Sequence, residues 1–310
     1  MINGHVAEGM QVEPFRLDWP CTIREAWNQA SSYLSEQSVA DAPHHAELLL
    51  RYALQWERTQ YLMGLMEPLP QAVSEQYAAL IERRGTGEPT QYIMGEAWFY
   101  GLRFEVSEAV LIPRPETELL VEAVLEEADR LWGSATASAL TAADIGTGSG
   151  AIACTLAHER PAWRVSAVDL SREALAMARR NAEQLGVADA LEWLEGDLLT
   201  PLQGRALDIL VSNPPYIPAA DIPGLQREVR DFEPHLALVG GEDGLDPYRR
   251  MADMLAAWPA EKKPHLVGFE LGMGQARDVA QLVRAAGYPE IRIVSDLAGI
   301  ERHVIGIRTL

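Results

Sequence analysis

From Thr22 to Gly85, apolar residues recur at the spacing of helices that bury one face. Thr22-Ile-Arg-Glu25 is a capping-box pattern and predicts a helix running to about Glu36. Asp41-Ala-Pro43 opens a second helix, whose apolar face carries Ala46, Leu49, Leu50 and Ala53. A third, short helix is expected around Thr59–Leu65 and a fourth from Ala72 to Arg84, stopped by Gly85. Four helices with short connections predict a small bundle over residues 22–86. Residues 1–21 hold Pro14, Pro20 and little periodicity, and read as a flexible lead-in.

The pattern breaks at Thr86-Gly-Glu-Pro89. Residues 87–113 read as a linker with a β-hairpin, because Gln91–Met94 and Trp98–Val106 carry aromatic and β-branched residues around Gly95 and Gly101. Pro113-Arg-Pro-Glu-Thr-Glu118 then predicts a helix start, with proline first and acids in the first turn, and that helix ends near Trp132-Gly133. Beyond Ala139, strands expected at 140–145, 164–169, 190–195, 206–212, 264–270, 290–295 and 303–308 alternate with helices at 149–159, 171–185, 246–258 and 275–286. This alternation predicts an α/β domain over residues 114–310, with a mostly parallel sheet covered on both faces.

Composition narrows the class. No stretch approaches the roughly 20 apolar residues of a membrane span, and the first residues lack the basic and apolar regions of a signal peptide. The two cysteines, Cys21 and Cys154, form neither a metal-ligand spacing nor a disulfide framework, so a cytoplasmic setting and no metal are expected. A net charge of −19 and only two lysines disfavour a partner that must have many phosphates neutralised, so no direct nucleic-acid contact is expected. His44 and His45 read as first-turn surface residues.

Two motifs carry chemistry. In Asp144-Ile-Gly146-Thr147-Gly148-Ser149-Gly150 the spacing is G-x-G-x-G at a strand-to-helix turn, not the G-x-G-x-x-G of dinucleotide binders. The glycines let the backbone approach a ligand, and the next helix offers free N–H groups at its start. Asp144 can orient the loop or accept from an ammonium group, and Asp169, nineteen residues past Gly150, can accept from ribose hydroxyls. Together these predict an adenosine-containing cofactor, S-adenosylmethionine being favoured over NAD.

The second motif is Asn213-Pro214-Pro215-Tyr216, after the apolar strand Ala206–Ser212. In a doubly wound sheet of order 3-2-1-4-5 the first and fourth strands are neighbours, so both motifs face one crevice. An amide nitrogen is a poor nucleophile because its lone pair is delocalised. Acceptors that draw off charge as a methyl group arrives suit it, and the Asn213 side-chain oxygen and the Pro214 carbonyl supply two. The prolines stiffen the turn, and Tyr216 can stack on a flat group. No strong general base is required and none is evident.

These motifs and their surroundings resemble the PrmC (HemK) family, the glutamine methyltransferases of peptide chain release factors. The resemblance rests on Gln91-Tyr-Ile-Met-Gly95, Leu111-Ile-Pro-Arg-Pro-Glu-Thr-Glu118, Ala143–Gly150, Asn213–Tyr216 and Val229-Arg-Asp-Phe-Glu-Pro234, and spans residues 22–310. It implies a class I S-adenosylmethionine-dependent methyltransferase fold (Rossmann-like, seven strands) with an N-terminal helical domain that docks the substrate. The implied substrates are class 1 release factors, methylated on the glutamine of their Gly-Gly-Gln motif, with S-adenosylhomocysteine as by-product. Gly146 to Gly150 and Asp169 would contact the cofactor, and Leu198 aligns with a position that borders its adenine. Asn213 to Tyr216 would hold the glutamine amide. Arg114 and Glu116 serve either the pocket or the helix start, and Glu228–Glu233 form either a lid or a plain charged loop. The pattern departs from relatives before Thr22 and at Ile300. Two rivals stay open: an adenine N6 methyltransferase, since the tetrapeptide fits a flipped base equally well, and a binding protein that keeps the fold without catalysis.

Overall fold

The Thr22 capping box closes in the computed structural model, which describes residues 14–133 and 139–309. Glu25 Oε2 accepts from the Thr22 amide at 2.7 Å, and Thr22 Oγ1 accepts from the Glu25 amide at 3.3 Å. The chain divides into two units at Met94/Gly95. The first holds α1 (Ile23–Glu36), α2 (Ala42–Leu54), α3 (Arg58–Met63), α4 (Gln71–Gly85) and α5 (Thr90–Met94). Its core joins Ile23, Ala30 and Leu34 of α1 to Leu49 and Leu50 of α2 and Ile81 of α4, all essentially inaccessible. Burying each of these leucine and isoleucine side chains contributes about 1.5–3 kcal/mol. The Tyr77 hydroxyl, buried among them, donates to the Ala46 carbonyl at 3.0 Å.

Two sequence expectations change here. Of the lead-in, residues 1–13 lie outside the described residues. Residues 14–21 are held to the bundle: the buried Phe15 ring packs on Tyr33 with centroids 4.9 Å apart, and Trp19 Nε1 donates to the Leu69 carbonyl at 3.0 Å. Gln91–Met94, read as part of a strand pair, is instead the single turn α5, whose Ile93 amide bonds the Pro89 carbonyl at 3.0 Å. Tyr92 and Ile93 are buried, and burial overrides their strand propensity.

The hairpin itself is β1 (Glu96–Phe99) and β2 (Leu102–Glu105), antiparallel and turning at Tyr100-Gly101. It belongs to the second unit, where Phe99 and Phe104 enter the main core. There α6 (Pro115–Trp132), β3 (Thr141–Ile145), α7 (Ala151–Glu159), β4 (Arg164–Asp169), α8 (Arg172–Leu185), β5 (Leu191–Glu195), β6 (Ile209–Ser212), α9 (Arg227–Phe232), α10 (Asp246–Ala256), β7 (Leu266–Glu270), α11 (Ala276–Ala285), β8 (Glu290–Ser295) and β9 (Glu301–Ile307) follow. Strand order is β5-β4-β3-β6-β7-β9-β8, with β9 antiparallel to both neighbours. Alternate strand residues feed the two faces. Ala142, Ile209 and Leu266 join α6 and α7, while Ala143, Leu210 and Val267 join α10 and α11. The chain runs outward from β3 to β5 and then returns to pair β6 with β3, which places a topological switch point between their carboxyl ends. No helix among the described residues is long and apolar enough to cross a membrane.

Candidate active site

Ile145 and Ser212 are directly paired at the ends of β3 and β6, and Ser212 Oγ donates to the Ile145 carbonyl at 2.7 Å. Each strand then stops, so the glycine loop and Asn213 begin side by side. Gly146 and Gly148 have φ of 72° and 55°, conformations L side chains rarely adopt, and a Cβ at either would meet open space. Gly150 instead caps α7 and packs on Ala178 and Cys154.

Beneath the loop, the wholly buried Asp144 accepts from Thr147 Oγ1 at 2.7 Å and from the Ala153 amide at 3.1 Å, both on Oδ2. Burial pushes its carboxyl up to about 7 against these bonds. Thr147 and Ser149 are likewise buried, and Asn181 of α8 ties the Ser149 carbonyl (2.8 Å) and both backbone groups of Glu105 to one amide side chain. At the end of β4, Asp169 accepts from the Gly148 amide at 2.8 Å and the Ser171 amide at 2.9 Å. Burial raises its pKa, opposed by these amides.

A cavity of about 450 Å³ opens over these elements, within the range of small-ligand sites. Its lining includes Gly146, Gly148, Asp169, Leu198, Asn213 and Pro215 of the residues expected from sequence. Leu198 holds φ 48°, a strained backbone for a branched residue and one that functional sites retain. Asp144, Thr147, Ser149 and Gly150 lie behind the lining as its support, and Pro214 and Tyr216 also stand outside it. Asn213 Nδ2 donates to Thr117 Oγ1 at 3.2 Å, and no described residue donates to Asn213 Oδ1 or to the Pro214 carbonyl. Both acceptors are uncommitted. Tyr216 packs into the second core, and its hydroxyl is pushed up to about 12, first by burial and then by the negative Glu270. The turn is fixed by Gln275, whose Nε2 donates to the Tyr216 carbonyl at 3.0 Å.

Sequence reasoning missed most of the opposite wall: Val110, Leu111, Leu236, Gly240 and Arg250, the last paired with Asp197. Arg114 and Glu116 do not line the cavity. Arg114 Nη2 donates to the buried Glu233 at 2.6 Å, and the next residues, Pro234, Leu236 and Ala237, do line it. Glu233 is raised by burial and opposed by Arg114.

The described residues hold no group of three or more His, Cys, Asp or Glu arranged to hold a metal ion. The donor set fits an adenosyl sulfonium amino acid: carboxylates and uncrowded loop amides flank one cavity, with apolar residues opposite.

Known proteins align with both units. The PrmC N-terminal domain family model matches residues 25–95, and the methyltransferase small domain model matches residues 116–224. The release factor glutamine methyltransferase of Moorella thermoacetica is 43% identical over 288 residues, covering 93% of this chain and 99% of that protein. The Bacillus cereus protein of the same name is 41% identical, covering 91% and 98%. Among solved structures, the N-terminal domain of human METTL16 superposes with a TM-score of 0.51 at 16% identity, covering 84% of this chain and 92% of that one, a likeness of fold. With two-fifths of its residues shared along nearly the whole length of these relatives, the chain belongs to the release factor glutamine methyltransferase family.

Proposed function

We propose that this enzyme transfers a methyl group from S-adenosylmethionine to the side-chain amide nitrogen of the glutamine in the Gly-Gly-Gln motif of class 1 peptide chain release factors. The carrying observation is the pair of uncommitted acceptors, Asn213 Oδ1 and the Pro214 carbonyl, beside the glycine loop at one switch point. When bound, S-adenosylmethionine supplies an electrophilic methyl group on a cationic sulfur. Gly146, Gly148, Asp169 and Leu198 would hold it, with Asp144 keeping the loop in shape.

The two acceptors take the two N–H groups of the substrate amide, which fixes the plane of the nitrogen and draws off positive charge as the N–C bond forms and the S–C bond breaks. The acidified nitrogen then gives up one proton to solvent. Their fixed placement lowers the barrier because no solvent reorganises during transfer. Pro214 and Pro215 stiffen the backbone that carries them and leave no competing N–H at those positions. Tyr216 stays protonated and supports the turn rather than serving as a base. The helical unit is proposed to grip the release factor, with Leu62, Met63 and Met66 as exposed apolar contact surface.

Asn213→Ala removes one acceptor. Turnover on release factor is expected to fall about a hundredfold, or roughly 3 kcal/mol, with S-adenosylhomocysteine affinity largely kept. Steady-state kinetics and calorimetry check both halves, and unchanged turnover would rule out this role for Asn213.

A further inference from the structure

Behind Asn213 lies a polar pair that no local motif announces. Thr117, in the first turn of α6, is 4% exposed, and Glu270, at the end of β7, is 2% exposed. Phe269 pairs with Ser212, so Glu270 and Asn213 are the next residues of adjacent strands. The Thr117 hydroxyl accepts from Asn213 Nδ2 at 3.2 Å, and Thr117 is the neighbour that most favours the ionised form of the Glu270 carboxyl. Glu270 Oε2 is buried with no hydrogen-bond partner among the described residues. The Tyr248 hydroxyl satisfies the Glu270 main-chain carbonyl instead, at 2.6 Å.

Donor and acceptor capacities fix the direction of this chain of groups. An ionised carboxylate only accepts, so toward Glu270 the Thr117 hydroxyl can only donate. That hydroxyl then has only lone pairs left for Asn213, which must present its NH2 to Thr117 and its oxygen the other way. Once Glu270 is protonated it can donate to Thr117 itself. The freed hydroxyl hydrogen then favours the opposite amide orientation, which would point Asn213 donors at substrate donors.

We propose that Thr117 and Glu270 are positioning residues for methyl transfer, a relay that holds the Asn213 amide with its oxygen toward the substrate nitrogen. The relay builds on the glutamine reading of the site. The groups around Glu270 are Arg114 and Glu116 at the start of α6, Arg302 and His303 on β9, Tyr216 and Tyr248. His303 Nε2 lies 3.9 Å from Glu270 Oε2, and burial lowers its pKa to about 4, so it is neutral there. Burial raises Glu270 to about 7, opposed by Thr117 and reinforced by Glu116. Because the ionised form is the productive one, turnover rises with pH through that value.

The test compares Thr117→Val, Thr117→Ser and Glu270→Gln with the wild type on release factor. Thr117→Val should lose about tenfold in kcat, the worth of one hydrogen bond, with KM and S-adenosylhomocysteine affinity nearly unchanged. Thr117→Ser, which keeps the hydroxyl, should stay within about threefold of wild type. Glu270→Gln should flatten the rise of kcat between about pH 6 and 8. The side-chain amide resonances of Asn213, followed against pH by NMR, need no substrate. They should titrate near 7 in the wild type and not in Glu270→Gln. A Thr117→Val enzyme with wild-type kcat, or an Asn213 amide that titrates identically in Glu270→Gln, would overturn the relay. Wild-type protein that leaves release factor unmethylated refutes the substrate reading instead, and the Asn213 titration still decides the relay.

Discussion

Asp144 carries opposite situations on its two oxygens. Oδ2 accepts two hydrogen bonds, while Oδ1 is buried without a partner among the described residues. Burial therefore raises its pKa from an ordinary 3.8 to about 7. The sign for stability follows from proton binding: between these values the folded state holds the proton and the unfolded state does not. Stability of the cofactor-free protein should accordingly fall as pH rises from about 4 to about 7, the loss being complete above the folded value. Asp144→Asn cannot ionise, so its Tm should decline less between about pH 5 and 8, which thermal unfolding at a series of pH values measures. An unchanged pH slope would mean that the carboxyl is not desolvated as the structure indicates. Asp144 and Asp169 were legible in the sequence because strand, glycine loop and terminal acid are local patterns. Thr117 and Glu270 were not. The bond from Asn213 to Thr117 spans 96 residues, and Thr117 reads locally as an ordinary first-turn residue.

At the level of elements, the segment after the tetrapeptide shows how a loop becomes a wall. α9 is a short helix, and its C-terminal neighbour Glu233 is pinned to Arg114 across 119 residues. Arg114→Ala leaves that buried carboxyl without its cation. Because Arg114 is itself about a third exposed, the loss should be nearer 2 kcal/mol than the larger figure for a fully buried pair. Amides of residues 227–239 should then exchange faster, and cofactor affinity should drop, as hydrogen-exchange mass spectrometry and calorimetry would show. Protection equal to wild type would remove Arg114 as the anchor. Periodicity located the sheet strands to within a few residues, from 141–145 to 301–307, most clearly the central β3, β6 and β7, which are buried on both faces and read as apolar runs between turn signals. It failed at Gln91–Met94, where five helical residues are too few to show a period and tertiary burial decides. It also could not show that the hairpin packs into the second core, since Phe99 and Phe104 meet partners far along the chain.

For the whole molecule, the helical unit matches the PrmC N-terminal domain model and the α/β unit the methyltransferase small domain model. The cavity is lined entirely from the second unit, between Ala109 and Arg250, so the proposed cofactor and amide sites lie within one folded body. The net charge of −19 suits a protein substrate better than a phosphate backbone. The most direct measurement is a mass-spectrometric methylation assay with labelled S-adenosylmethionine, offering unmethylated release factor and duplex DNA side by side. Label confined to the Gly-Gly-Gln glutamine is expected. Label on adenine, with none on the release factor, would contradict the assignment and move the Asn213–Tyr216 turn to a flipped base.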